Sequence, residues 1–372
     1  MKFTIDRNAL LKALAHVQSV VERRNTIPIL SNILIDATGD GLELTATDLE
    51  IAIVEKIEAS VSVPGATTAP AHTLYDIVRK LPEGSDVEFD TTEVEGRITI
   101  SSGRSRFALS ALPKDDFPVM AEGDLPVSFE ILSNDLKRLI DKARFAISTE
   151  ETRYYLNGIY LHAADQDGVD MLRAVATDGH RLAQVQMALP SGAKDMPGVI
   201  VPRKTVGEVR KLIDEVTGSI MIALSDTKIR FTVGAVTLTS KLIDGTFPDY
   251  QRVIPPSNDK LMKVDGAMFS NAVDRVSTIS TEKSRAVKLK INTDVVELSA
   301  NSPDAGSAVE EVGASYASDP IEIGFNAKYL LDITGQIEGD EAEFALSDAA
   351  SPTIVRDLDD DGALYVLMPM RV

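Results

Sequence analysis

In the stretch "VATDGHRLAQV", residues 175–185, an aspartate, a glycine, a histidine and an arginine stand between two apolar runs. Asp178 and His180 are the residue types of a general acid–base pair, so a hydrolase built on them is the first chemistry to weigh. Such a site also needs a nucleophile or metal and a third positioned group. The chain has no Gly-x-Ser-x-Gly elbow, no P-loop, no second histidine at metal spacing and no cysteine. A related stretch, "ATDLE" at 46–50, keeps the threonine and aspartate without the histidine. Asp48 and Asp178 therefore read as turn residues whose carboxylates satisfy backbone donors, and no catalytic residue is assigned. The acidic run "DLDDDG" at 357–362 opens like an EF-hand loop, but Met368 stands where the bidentate glutamate belongs. It reads as a hairpin turn, with no metal and no cofactor expected.

The elements that must position these residues come in three copies. "GLELTATDLEIAI" (41–53), "MLRAVATDGHRLAQV" (171–185) and "VVELSANSPDAGSAV" (295–309) each place a turn between two alternating strands, with Ala46, Ala176 and Ala300 at matching points. A second family, "APAHTLYDIVRKL" (69–81), "VPRKTVGEVRKLI" (201–213) and "GFNAKYLLDITGQI" (324–337), has helical apolar spacing. The openings "FTIDRNALLKALAHVQ", "FEILSNDLKRLIDKAR" and "KVDGAMFSNAVDRVS" form a third. Each unit reads strand, helix, several strands, helix, several short strands, with hairpins that imply antiparallel sheets. The fold class is α+β, three times over, with domains expected over 1–125, 126–253 and 254–372.

The 372 residues exceed one ordinary core, and no apolar run approaches the length of a bilayer span or a signal peptide, so a cytoplasmic protein is expected. The net charge is −19, from 38 Lys+Arg and 57 Asp+Glu. Its distribution is uneven. Windows at 6–20, 71–81, 133–147, 203–213, 266–280 and 326–337 hold 14 of the basic and 7 of the acidic residues, leaving 24 and 50 elsewhere. In the third window Leu136, Leu139, Ile140, Ala143 and Ile147 form one stripe, with Lys137, Arg138, Lys142 and Arg144 expected on the opposite face. A solvated helix surface is the plain explanation for one such helix. A net positive sum over six such windows, in an acidic chain, points to a surface facing a polyanion. Tryptophan, zinc-finger spacing and RNP aromatics are absent, so phosphate contact rather than base reading is expected.

Three such repeats, with "RYYLNG" (153–158), "ATDGHRLA" (176–183), "DGTFPDYQRV" (244–253) and "VLMPMRV" (366–372), resemble the bacterial DNA polymerase III β-subunit family, the replicative sliding clamps. The resemblance runs from the first residue to the last. It implies the DNA clamp fold: a head-to-tail homodimeric ring of six similar domains, helices inside and sheets outside. It implies a processivity factor rather than an enzyme. Such a ring encircles duplex DNA without sequence preference and holds the DNA polymerase III alpha subunit, the clamp loader delta subunit and other polymerases and repair proteins through short linear motifs. A hydrolase using His180, or a DNA-binding module that forms no ring, is the alternative.

The resemblance also assigns residues. The family's partner-peptide pocket falls on Leu156, Thr177, Gly179, His180, Arg181 and Leu182, on Pro248, Arg252 and Val253, and on Asn326 and Tyr329. Its remaining wall falls on Val366, Met368, Pro369, Met370 and Arg371. Ser284 stands where some relatives carry phenylalanine, and "AASP" (349–352) differs at the pocket edge. For DNA, the match points to Arg24, Arg153, Tyr154, Tyr155, Arg203 and Lys204. "RYYLNG" otherwise reads as strand packing, in which two adjacent tyrosines cannot share one core, so one is expected to reach solvent or the duplex. Dimer closure is expected at Phe107 and Leu109 against a surface near Ile279, with Arg97, Arg104 and Arg106 facing Asp304, Glu310 and Glu311.

Overall fold

The computed structural model describes residues 1–39, 41–121, 123–280 and 285–371. The first repeat runs β1 (Lys2–Asp6), α1 (Arg7–Val17), β2 (Asn32–Thr38), β3 (Gly41–Thr47), β4 (Ile51–Ile57), β5 (Ser60–Val63), β6 (Gly65–Pro70), α2 (Ala71–Lys80), β7 (Asp86–Asp90), β8 (Arg97–Ser102) and β9 (Ser105–Ser110). The second runs β10 (Val127–Leu132), α3 (Ser133–Asp141), β11 (Gly158–Gln166), β12 (Val169–Thr177), β13 (Arg181–Ala188), β14 (Val199–Pro202), α4 (Arg203–Ile213), β15 (Ser219–Leu224), β16 (Lys228–Val233) and β17 (Val236–Lys241). The third runs β18 (Lys260–Asp265), α5 (Gly266–Ser277), β19 (Ala286–Asn292), β20 (Val295–Ser302), β21 (Gly306–Ser315), β22 (Ile321–Asn326), α6 (Ala327–Thr334), β23 (Glu341–Leu346), β24 (Thr353–Asp357) and β25 (Ala363–Leu367). All the ladders between these strands are antiparallel. This is the expected α+β unit with two helices, repeated three times.

The repeats share their core register. Cross-strand rows run Phe3–Phe89–Ile100–Phe107, Phe129–Ile222–Phe231–Leu238 and Met262–Phe344–Val355–Tyr365. In the last two rows every side chain is buried; in the first, Phe107 alone is half-exposed. The first-helix N-termini of repeats one and three are capped alike, Asp6 accepting from the amides of Asn8 and Ala9 and Asp265 from that of Met268, where repeat two has Leu132.

The chain packs as two compact units, one of 1–136, 190–197 and 204–242, the other of 137–189, 198–203 and 243–372. In the first, a five-stranded sheet is ordered β5-β1-β7-β8-β9 and an eight-stranded one β10-β15-β16-β17-β4-β3-β2-β6. In the second, twelve strands run β14-β11-β12-β13-β25-β24-β23-β18-β21-β20-β19-β22. Sheets therefore cross the repeat boundaries. The last strand of repeat two pairs with β4 of repeat one, and the last strand of repeat three with β13 of repeat two.

Two helix cations are buried rather than on a solvated helix face. Lys142 is buried, its Nζ 2.9 Å from the Asp360 carboxylate, which Arg138 also binds. At about 100° per residue Lys142 stands only about 60° from Leu139, on the border of the apolar stripe rather than opposite it, and Asp360 draws it in. The α-helix there ends at Asp141, and the expected helix to 147 continues only as a 3₁₀ turn, Arg144–Ala146. Arg7 is buried as well, donating to the carbonyls of Val78 and Arg79 at the C-terminal end of α2. The cationic surface is smaller than the count of basic residues suggests.

Candidate peptide-binding site

The "TD" turns of repeats one and two have one hydrogen-bond frame. Asp48 Oδ1 accepts from the amides of Glu50 (2.9 Å) and Ile51 (2.7 Å); Asp178 Oδ1 accepts from those of His180 (2.9 Å) and Arg181 (3.0 Å). Thr47 and Thr177 each donate to the carbonyl four residues on, at 2.8 and 2.7 Å. The Asp178 carboxylate is thus occupied as a turn cap, and the His180 ring stacks on Tyr329 at 6.2 Å between centroids. At the residue after the aspartate the two turns differ in side chain but little in backbone. Leu49 takes φ 76° and Gly179 φ 86°, and a Cβ on Gly179 would stand 2.5 Å from a guanidinium nitrogen of Arg153. Leu49 shows that this backbone tolerates a side chain, so at Gly179 it is the Arg153 guanidinium that would have to shift for one.

An open cavity of about 180 Å³ lies beside the second turn. Leu156, Thr177, Gly179, Arg181 and Leu182 line it, with Pro248, Val253, Val366 and Met368, all nine among the expected pocket residues. Asp249 and Tyr250 line it too and were not expected. Tyr250 is buried with Leu156, Val175, Leu182, Ile200, Phe247 and Val366, so its signal in the sequence was that of a core aromatic. Of the others expected, Arg252 is exposed and paired with Asp249 at 2.8 Å. Asn326 caps α6, accepting from the Lys328 and Tyr329 amides. His180 and Tyr329 stack beside the turn, and Met370 bridges to Gly324, its amide 2.7 Å from that carbonyl. Pro369 is half-buried and Arg371 exposed. Ser284 lies outside the described residues.

Arg181 ties this site together. Its guanidinium lies over Tyr329 (4.4 Å to the ring centroid) and Phe145 (5.1 Å). It donates to Asp178 (3.1 Å), to the Phe145 carbonyl (2.7 Å) and to Asp332 on α6. The charge is therefore satisfied and only 7% of the side chain is exposed, which leaves a mostly apolar wall. The terminal segment docks by a backbone bond from Met368 to the His180 carbonyl, 2.9 Å. Apolar walls with a few fixed polar groups suit capture of a short hydrophobic segment.

"RYYLNG" is not a strand: residues Glu151–Leu156 form a 3₁₀ segment, which turns Tyr154 out to 53% exposure while Tyr155 packs on the cavity cluster. Arg153 binds Glu150 (Nε to oxygen 2.8 Å). Arg24 and Arg203 are exposed. Lys204 reaches the Val20 carbonyl (3.2 Å), Glu22 and the Asp48 carboxylate (2.6 Å). Phe107 and Leu109 are half-exposed on β9, an edge strand, and Ile279 is half-buried just beyond α5. Arg106 pairs with Glu93, and Glu310 with Arg275, within the chain. "DLDDDG" makes the expected hairpin turn between the paired strands β24 and β25, where the Asp357 carboxylate accepts from the amides of Glu338 (2.7 Å), Gly339 (3.1 Å) and Asp359 (3.0 Å).

Three family comparisons match in series along the chain. Residues 1–121 match the N-terminal domain of the DNA polymerase III beta subunit, 130–249 its central domain and 251–371 its C-terminal domain. The beta sliding clamp of Caulobacter vibrioides is 57% identical over all of both chains. A crystal structure of the Caulobacter crescentus beta sliding clamp covers 100% of this chain and 99% of its own, at 57% identity and TM-score 0.98. A Bartonella birtlesii sliding clamp bound to griselimycin covers both chains fully, at 54% identity and TM-score 0.97. With its three repeats matched in order and its whole length covered, the chain belongs to the DNA polymerase III beta subunit family.

Proposed function

We propose that the protein is a DNA polymerase processivity factor: a sliding clamp that closes as a homodimer around duplex DNA and holds DNA polymerase III through the cavity beside Asp178. The observation that carries this reading is the use of strand edges. In each repeat boundary inside the chain, the last strand of one repeat pairs with the fourth strand of the repeat before it, Leu238 opposite Ile53 and Tyr365 opposite Ala183. Following the core rows, the matching positions left over are Phe107 on β9 and Ala308 on β21, which pairs with Ala300 as Ile53 does with Ala46. A third boundary of the same kind can be made only with a second chain. It sets Phe107 opposite the partner subunit's Ala308 and, on this reading, on the surface near the partner subunit's Ile279.

Within that reading the three domains are 1–125, 126–253 and 254–372, and the protein works in the cytoplasm without catalysis of its own. No described helix is long and apolar enough to cross a membrane. Arg24, Arg153, Tyr154, Tyr155, Arg203 and Lys204 contact the duplex through phosphate and sugar, which positions without reading sequence. Lys204 must exchange Glu22 and Asp48 for a phosphate to do so. The cavity takes short linear motifs of the polymerase alpha subunit, the clamp loader delta subunit and other polymerases and repair proteins. His180, Arg252, Asn326, Tyr329, Pro369, Met370 and Arg371 extend it beyond its nine lining residues. A hydrolase based on Asp178 and His180 is disfavoured by the turn that consumes the Asp178 carboxylate.

Retention on DNA tests the function. Loaded onto a nicked circular plasmid by a clamp loader, the protein should stay bound in high salt and be lost when the circle is linearised. A groove binder would instead lose affinity steeply with salt on both forms, and that outcome would remove the clamp reading.

A further inference from the structure

Tyr250 lines the cavity from a 3₁₀ turn, Tyr250–Val253, where no strand ladder holds it. Its hydroxyl lies 3.0 Å from Nε2 of His162 and 3.5 Å from a guanidinium nitrogen of Arg173. The other imidazole nitrogen, Nδ1, is 2.9 Å from the Ala163 carbonyl, which can only accept. Nδ1 therefore carries the proton of the neutral ring, and Nε2 accepts from the tyrosine O–H. Burial, helped by the Arg173 charge and opposed by the Ala163 bond, holds the His162 pKa below its ordinary value and favours that neutral form. The imidazole is held in turn. It stacks on Tyr160 at 4.5 Å and 25°, and Tyr160 stacks on Phe247 at 4.8 Å and 8°. Arg173 is anchored by Gln186 (2.8 Å) and Gln166 (3.0 Å).

We infer that His162 is a positioning residue for peptide binding, fixing the Tyr250 ring in the cavity wall through its hydroxyl. The inference rests on the cavity being the peptide site. Without the acceptor the tyrosine keeps its burial but loses its preferred direction, and the peptide must order that wall as it binds. The sequence hides this pair, because its members stand far apart and each alone reads as core.

Calorimetry with a Gln-x-x-Leu-Phe peptide, the ligand type that the family resemblance implies, separates the possibilities. His162→Phe keeps the stack on Tyr160 and removes the acceptor; it should raise Kd about three- to ten-fold, the range of one net hydrogen bond. Tyr250→Phe should do the same. The double variant should lose no more than either alone, because both delete one interaction. His162→Gln, which can present an amide oxygen, should recover part of the loss. Additive losses, or a Kd for His162→Phe within two-fold of the original, would overturn the inference while leaving the site standing. Failure of the unaltered protein to bind the peptide would overturn both. Should His162→Phe not fold, Tyr250→Phe carries the same expectation by loss of a single oxygen.

Discussion

Arg181 shows how one side chain can serve both structure and binding. Held by two carboxylates, a carbonyl and two aromatic faces, it fixes the turn bearing Gly179 and His180 against α6. The cavity it borders is small, so affinity must come from a few apolar anchors. A micromolar Kd corresponds to about −8.2 kcal/mol, within reach of two or three leucine- or phenylalanine-sized side chains after ordering costs. Deleting 368–372 removes one wall and should abolish peptide binding in calorimetry; unchanged affinity would remove the site assignment. His180→Ala loses only the stack on Tyr329, worth about 0.5–1.5 kcal/mol, and should weaken binding several-fold without ending it. At this scale the Asp178 turn was legible, because the Thr-Asp pair recurs at Asp48 with the same local bonds. Tyr250 was not, because a wall residue and a core residue have the same composition in sequence.

Among the elements, each repeat places a cation at the tenth position from the start of its first helix, His16, Lys142 (one residue past the end of α3) and Arg275. Arg275 binds Glu310 on β21, and His16 binds the equivalent Glu55 on β4, Nδ1 to oxygen 2.8 Å. The other His16 nitrogen lies 2.8 Å from Glu215, beyond α4 in repeat two. In repeat two Val185 replaces the glutamate, and Lys142 turns to Asp360 of repeat three instead. Carboxylates on both nitrogens require two N–H donors, so His16 is an imidazolium here. Burial alone would lower its pKa, but the two carboxylates outweigh it and the net shift is upward. Its contribution to stability is then complete below the unfolded histidine value, near 6.5, and is lost as pH rises through the higher folded value. His16→Gln should cost about 1–3 kcal/mol at pH 6, with the gap in melting temperature closing toward alkaline pH. A gap constant from pH 6 to 9 would contradict the assignment. The periodicity located all six helices but misjudged Lys142 and Arg7, because apolar spacing cannot register a carboxylate or a helix end supplied by another part of the chain.

For the whole molecule, three repeats were legible from their shared turns and openings, since each copy confirms the others. The exchange of strands across repeat boundaries was not, because any alternating strand looks equally able to pair within its own repeat. Assembly depends on the two edges that this exchange leaves open. Replacing Phe107 and Leu109 with aspartate should leave a folded protein that light scattering finds monomeric at micromolar concentration. If the unaltered protein is already monomeric there, the closure proposed for β9 is wrong.

Those two surfaces are unlike each other, one the edge strand β9 and the other residues 306–313 of β21, which bond β20 while β18 pairs only with Ala314 and Ser315, so joining copies end to end always leaves one of each exposed at the termini of the row. Only a row that returns to its start has none. A chain blocked at Phe107 keeps its β21 surface, so mixed with unaltered chains it can form one junction but never a closed row.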